Sequence, residues 1–126
     1  MISMPYKRSP EENNKHNRLI LALVNYLISK GYEISADHIG YPNGKPDEYG
    51  GKTPDIYAVK GNEQIFIEAE TCDTLNTEDT REQWRILSSR KNTLFSVVVP
   101  RKCIKEAKLL AKKWGVPVED FWTMNI

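Results

Sequence analysis

The chain has 126 residues, 40% hydrophobic and 28% charged, which is the length of one ordinary domain and the balance of a folding chain rather than a disordered one. With 18 Lys and Arg against 17 Asp and Glu, no overall field demands a polyanionic partner, and any nucleic-acid contact must come from a local patch. The apolar stretch at Leu19–Leu23 is interrupted by Asn25 and ends at Ser29, far short of the roughly 20 residues that span a bilayer. Met1–Arg8 runs into Pro10-Glu11-Glu12 rather than an apolar segment with a cleavage site, so neither a membrane anchor nor a secretion signal is expected. Cys72 and Cys103 show no CxxC spacing and are too few for a disulfide scaffold, which fits a reduced, cytoplasmic setting. A single domain over residues 1–126, with its core at about 10–114, is expected.

Ser9-Pro10-Glu11-Glu12 reads as a helix start: a Ser cap, Pro at the first helical position and Glu at the third. Leu19, Ile20, Leu23, Val24 and Leu27 recur at helical spacing and Gly31 supplies a stop, giving a helix over about residues 10–30. A short strand at Tyr32–Ala36 precedes the Gly- and Pro-rich segment Asp37–Lys52, a long loop of the kind that is often functional; it is expected to be mobile without substrate and to contact DNA or a second subunit. Thr53–Val59 and Gln64–Glu70 read as strands joined by the two-residue turn Gly61-Asn62. With Lys60 opposite Glu63, Ile56 faces Ile67, Ala58 faces Ile65 and Asp55 faces Glu68. Apolar residues on both sides of these strands predict a sheet covered on both faces. A helix from Thr77 to about Arg90 carries Trp84 and Leu87, Leu94–Val99 is a buried strand ended by Pro100, and Ile104, Ala107, Ala111 and Trp114 mark a last helix stopped by Gly115. The order is α-β-β-β-α-β-α, an α/β domain with a mixed central sheet flanked by helices, followed by a tail in which Phe121 and Trp122 are free to pack.

Strand alternation puts Glu68 and Glu70 on one face, and the hairpin register puts Asp55 on the same face. Directly opposed strand residues lie about 5 Å apart at Cβ and like charges there repel, so the three acids call for a hard divalent cation. Mg²⁺ is commonly held by one or two carboxylates together with waters and substrate phosphates.

Pro54-Asp55, a hairpin and Glu68-Ala69-Glu70 resemble the PD-(D/E)XK nuclease superfamily, the fold of many restriction endonucleases and archaeal Holliday junction resolvases; the likeness covers about residues 10–100. It implies a restriction endonuclease-like core, Mg²⁺ (or Mn²⁺) held by Asp55, Glu68 and the Ala69 carbonyl, and hydrolysis of DNA by a metal-activated water. The catalytic position falls on Glu70, where Lys is commonest; Glu70 is expected to orient or deprotonate the water or to bind a second ion. Relatives also imply a further carboxylate from the first helix, here Glu12, a ligand-orienting polar residue on the helix after the cluster, here Gln83, and a two-fold homodimer. The alternative is a catalytically inactive module of the same fold that binds DNA or a protein subunit.

Other features have plainer readings. Glu12 is accounted for by helix capping, His16 by a helix surface, Pro46-Asp47 by a turn, Cys72 by packing and Trp84 by the core. Asp37-His38 lacks a third ligand at metal spacing. Lys105, Lys108 and Lys112 share a face of the last helix and, with Lys45, Lys52, Arg90 and Lys91, make a candidate phosphate track, which supplies affinity without reading sequence.

Overall fold

In the computed structural model, which describes residues 8–126, helix α1 spans Pro10–Ser29, and the Ser9 hydroxyl accepts the Glu12 N–H at 3.1 Å as the capping pattern requires. The start Met1–Lys7, which enters the reading of a missing secretion signal, lies outside the described residues. Five strands follow: β1 (Glu33–Ala36), β2 (Ile56–Lys60), β3 (Glu63–Ala69), β4 (Leu94–Pro100) and β5 (Phe121–Met124). The single turn α2 (Cys72–Leu75) and helix α3 (Glu78–Ser88) lie between β3 and β4, and α4 (Ile104–Trp114) lies between β4 and β5. The sheet order is β1-β2-β3-β4-β5, with antiparallel pairing from β1 to β3 and parallel pairing from β3 to β5. This is the expected mixed sheet with a restriction endonuclease-like core.

The hairpin register agrees residue for residue: Ile56 pairs with Ile67, Ala58 with Ile65 and Lys60 with Glu63. Alternation then divides the core. Ile56, Ala58, Ile65, Ile67 and Ala69 face α1 and pack on Leu19, Ile20, Leu23, Val24 and Leu27. Phe66 faces the other way and joins Phe95, Val97 and Val99 under Trp84 and Leu87 of α3 and Ala107 and Leu110 of α4.

The tail adds more than packing. Phe121–Met124 pairs in parallel with β4, carrying the sheet past the expected core boundary near residue 114, and four residues with no alternation of burial leave little pattern to read. The cysteines also differ from expectation: Cys72 and Cys103 form a disulfide with Cα atoms 5.9 Å apart. Because β3 and β4 run parallel, the chain leaves both strands at the same end of the sheet, which brings together cysteines 31 residues apart.

The segment Asp37–Lys52 has no helix or strand of its own beyond a bridge between Tyr49 and Lys52. It is attached at several points. Ala36 N–H donates to Gly44 O at 3.0 Å, the Asn43 amide donates to Ile34 O at 3.0 Å, and Ile39 and Tyr41 lie on the α1-side core. At Gly50 (φ +60°) a Cβ would stand 2.6 Å from Ile86 Cγ2, so the loop approaches α3 as closely as only glycine permits.

Candidate active site

Three acids meet where β3 ends. Asp55 precedes β2, Glu68 lies in β3 and Glu70 follows it, and their exposures are only 6%, 2% and 5%. The hairpin register continues through side chains beyond the last strand pair: Asp55 N–H donates to Glu68 Oε2 at 2.8 Å, and Ala69 N–H donates to Asp55 Oδ2 at 2.8 Å. Charged groups buried this deeply are costly unless hydrogen-bonded or paired.

Each acid meets that cost differently. Asp55 lies between two histidines: His16 Nε2 is 3.3 Å from Oδ2 and His38 Nε2 is 3.3 Å from Oδ1. Burial by itself would raise the Asp55 carboxyl, but the hydrogen bonds of His16 and His38, with the Ala69 amide, hold it well below the usual carboxylate range. The bond to Asp55 in turn raises His38. Among the described residues no cation pairs with Glu68, and burial and then the charges of Asp55 and Glu70 push its carboxyl far up. Glu70 is pushed up to about 7 by burial and by Asp55, against the pull of Arg8 and the Thr74 hydroxyl. Its Oε1 accepts Thr74 Oγ1 at 2.9 Å, Thr80 Oγ1 at 3.1 Å and Arg8 Nη2 at 3.5 Å. Arg8 is fixed by Thr71 and Thr74, both at 3.2 Å.

These groups line one cavity of about 230 Å³, in which Arg8 is the single Lys or Arg among the described residues and to which Gln83 also contributes. Gln83 is held from its amide, which donates to Thr53 O at 3.2 Å. The structure thus brings together Asp55, Glu68, Glu70 and Gln83, with Ala69 between the two glutamates. It does not bring Glu12, whose carboxylate bonds Lys15 at 3.0 Å, away from the cavity lining. Lys45 and Arg90 line a neighbouring cavity, whereas Lys91, Lys105, Lys108 and Lys112 are exposed and line neither. The basic face of α4 is therefore not part of the acid site.

Sequence reasoning passed over His16, His38 and Arg8. His16 is 2% exposed, so it is not a surface histidine, and the sequence holds a signal for this: residue 16 falls in phase with Ile20, Leu23 and Leu27 on the buried stripe. His38 sits at φ +72°, a backbone turn with no local signature in Asp37-His38-Ile39. Arg8 reaches Glu70 across 62 residues of sequence, a contact no local pattern contains.

The donor set is of the type that could hold a hard divalent cation: Asp55, held anionic by its hydrogen bonds, beside Glu68 and Glu70, which burial and the charge of Asp55 leave poorly stabilised as anions. Among the described residues no three His, Cys, Asp or Glu side chains stand at ready ligand spacing. Oδ2 of Asp55 and Oε2 of Glu68 each accept a backbone N–H, so a cation would share these oxygens with the amides or use the other oxygen of each carboxylate.

Neither a protein-family model nor a curated protein matches this chain. Among solved structures, the chain is similar to an XisH family protein from Nostoc punctiforme PCC 73102, with a TM-score of 0.52 and 17% identity over 83% of this chain and 90% of that one. At that identity the likeness is one of fold, compatible with the nuclease-like fold that Pro54-Asp55 and Glu68-Ala69-Glu70 resemble: the protein has a restriction endonuclease-like α/β core.

Proposed function

We propose that the protein is a metal-dependent nuclease that hydrolyses DNA phosphodiester bonds. The observation that carries this reading is the buried convergence of Asp55, Glu68 and Glu70 on adjoining chain segments beside one arginine. Asp55 and Glu68, with the Ala69 carbonyl, are the groups to hold Mg²⁺, or Mn²⁺ in its place. When bound, a divalent cation supplies charge against the scissile phosphate and makes a nearby water more acidic. Asp55 is kept anionic by His16 and His38. Glu70, titrating at about 7, is matched to taking a proton from the attacking water near neutral pH, or to holding a second ion. Arg8 supplies the positive charge that a lysine at position 70 would have brought. Lys45, Lys52, Arg90, Lys91, Lys105, Lys108 and Lys112 add phosphate contacts outside the acid cavity.

The protein acts as a two-fold homodimer in this reading, because one small domain offers one site and limited surface for DNA contact; light scattering at active concentrations checks it. No described helix is long and apolar enough to cross a membrane, and we place the protein in the cytoplasm, where a Cys72–Cys103 disulfide is unusual and thiol counting on freshly isolated protein tests the placement. The decisive experiment is Mg²⁺- or Mn²⁺-dependent cleavage of DNA by the intact chain and its Asp55→Asn variant. Cleavage lost with Asp55 supports the enzyme; salt-sensitive binding with no cleavage identifies a non-catalytic module instead.

A further inference from the structure

Beside the acid site, on the same face of the sheet, lies a second cavity of about 550 Å³ between the hairpin, the 37–52 loop and Arg90, two residues beyond α3. Phe66, 2% exposed, is its floor; Tyr49 and Tyr57 stand beside it with ring centroids 6.1 and 5.6 Å from that of Phe66. The Arg90 guanidinium lies 5.0 Å from the Phe66 centroid and 5.9 Å from each tyrosine. Its guanidinium donates to Gln64 Oε1 at 3.4 Å, and among the described residues the ion pairs include neither Arg90 nor Lys45 across the cavity. Arg90 is therefore a cation oriented by aromatic faces, with most of its five donors unspent and no carboxylate neutralising it. Tyr57 and Phe66 are each two strand positions from Asp55 and Glu68, which places the groove about 6.5–7 Å along the strands from the acids, a distance that one nucleotide of an extended strand covers.

We propose that this groove holds an unpaired DNA strand next to the scissile phosphate, with a backbone phosphate on Arg90 and Lys45 and a base against Tyr49 and Tyr57. The inference rests on the nuclease reading and narrows its substrate to single-stranded or frayed DNA. A duplex keeps its base faces stacked inside and presents phosphates and sugars, so it has no use for ring faces at the groove walls; an unpaired strand uses both the rings and the cations. Asp47 and Glu48 stand exposed on the same lip, so a polyanion gains there only where its phosphate passes them to reach Arg90.

The test is fluorescence anisotropy of the full chain, in EDTA so that nothing is cut, with a labelled single strand of about 20 nucleotides and the blunt duplex of the same sequence. The single strand is expected to bind about tenfold more tightly than the duplex. Arg90→Ala should lose about tenfold in single-strand affinity and Tyr49→Ala about fivefold, with duplex affinity nearly constant. Lys45→Glu lies on an exposed loop and cannot unfold the core, so it guards against a merely misfolded variant; it should lose about tenfold. Equal affinity for both DNAs, or single-strand binding unmoved by Lys45→Glu and Arg90→Ala, overturns the proposal even if Asp55-dependent cleavage is found. Groove-dependent single-strand binding without any cleavage instead overturns the nuclease reading and leaves the groove standing as a single-strand site.

Discussion

Along β3, successive residues enter two different environments. Ile65, Ile67 and Ala69 point to α1 and meet aliphatic side chains at exposures of 0–5%; Phe66 and Glu68 point to the other face, and Glu70 continues that side beyond the strand, where an aromatic core gives way to buried acids and polar neighbours. Both sides are equally dry, yet one is chemically inert and the other holds three ionisable groups displaced from their ordinary titration ranges. The aliphatic face favours the folded chain through apolar burial, whereas the acid face opposes it, since each buried carboxyl must be bonded or protonated. A single strand thus divides apolar packing from titratable groups with a period of two, and on the proposed nuclease reading substitutions on the two faces should separate stability from activity.

The largest separation is expected at Asp55. Asp55→Asn keeps the side-chain shape and the Ala69 contact but removes the anion between His16 and His38. Cleavage should fall by at least about 10³-fold, the rate equivalent of the several kcal/mol that a bound divalent cation contributes, measured on plasmid or oligonucleotide DNA with Mg²⁺. Folding should persist by circular dichroism. Retained cleavage would mean that the reactive centre lies elsewhere on this face.

Glu70→Gln comes next. The amide oxygen can still accept from Thr74 and Thr80, so the fold should stand, while the loss of a base or ligand lowers cleavage by about 10²-fold or more. Denaturant unfolding at pH 7.5 without metal should show a variant at least as stable as the parent, because a buried carboxyl pushed up to about 7 no longer has to ionise. Full activity in this variant would reduce Glu70 to a structural acid.

Ile67→Ala reverses the pattern. Ile67 is fully buried among α1-side residues, and truncation there should cost about 2–5 kcal/mol by loss of transfer energy and by the cavity left, read by urea unfolding. Below its melting temperature the variant should cut DNA at the parental rate, since its side chain faces away from Glu68. A comparable loss of activity per folded molecule would show that the two faces are coupled through the strand.

The half of this division that was legible in sequence is the half written by short-range rules. Gly61-Asn62 fixes the hairpin register, and register with alternation then fixes which residues share a face, so Ile56, Ile67, Asp55 and Glu68 could be placed from spacing alone. The surroundings of the acids were not legible because they come from afar. Arg8 reaches Glu70 from before α1, and His38 turns toward Asp55 through a left-handed residue in an irregular loop. The parallel strands made two further features invisible: β5 joins β4 after a helical crossover, and the chain exits from β3 and β4 set Cys72 against Cys103. His16 is the instructive case, since its phase with Ile20, Leu23 and Leu27 marked it as buried although its residue type argued for the surface. Phase should have outweighed type there.

The smallest expected effect is a pH dependence of stability that belongs to the acid face alone. Glu70 titrates at about 7 in the folded protein against 4.5 ordinarily, and Glu68 is raised in the same direction. Between those two values the folded chain holds a proton that the unfolded chain has lost, so stability is full below about pH 4.5 and declines as pH rises toward 7. Asp55 acts oppositely: its folded carboxyl is lowered from 3.8, so it contributes stability above that value which disappears as the solution is made more acidic. Metal-free protein should therefore be most stable near pH 4–5 and lose about 3 kcal/mol by pH 7.5 from the displacement of Glu70, with the raised Glu68, and His38 at the upper end, adding to the same decline. Urea midpoints across this range measure it. In Glu70→Gln the decline should shrink, while in Ile67→Ala the whole curve should shift down without changing shape. Mg²⁺ should restore stability at pH 7.5, where Glu70 is giving up its proton, and have less effect at pH 4.5, where Glu68 and Glu70 hold protons and only Asp55 is ionised. A profile that is flat or rises from pH 4.5 to 7.5 in EDTA would show that these acids are ionised and compensated in the fold, and would remove the electrostatic contrast between the two faces of β3.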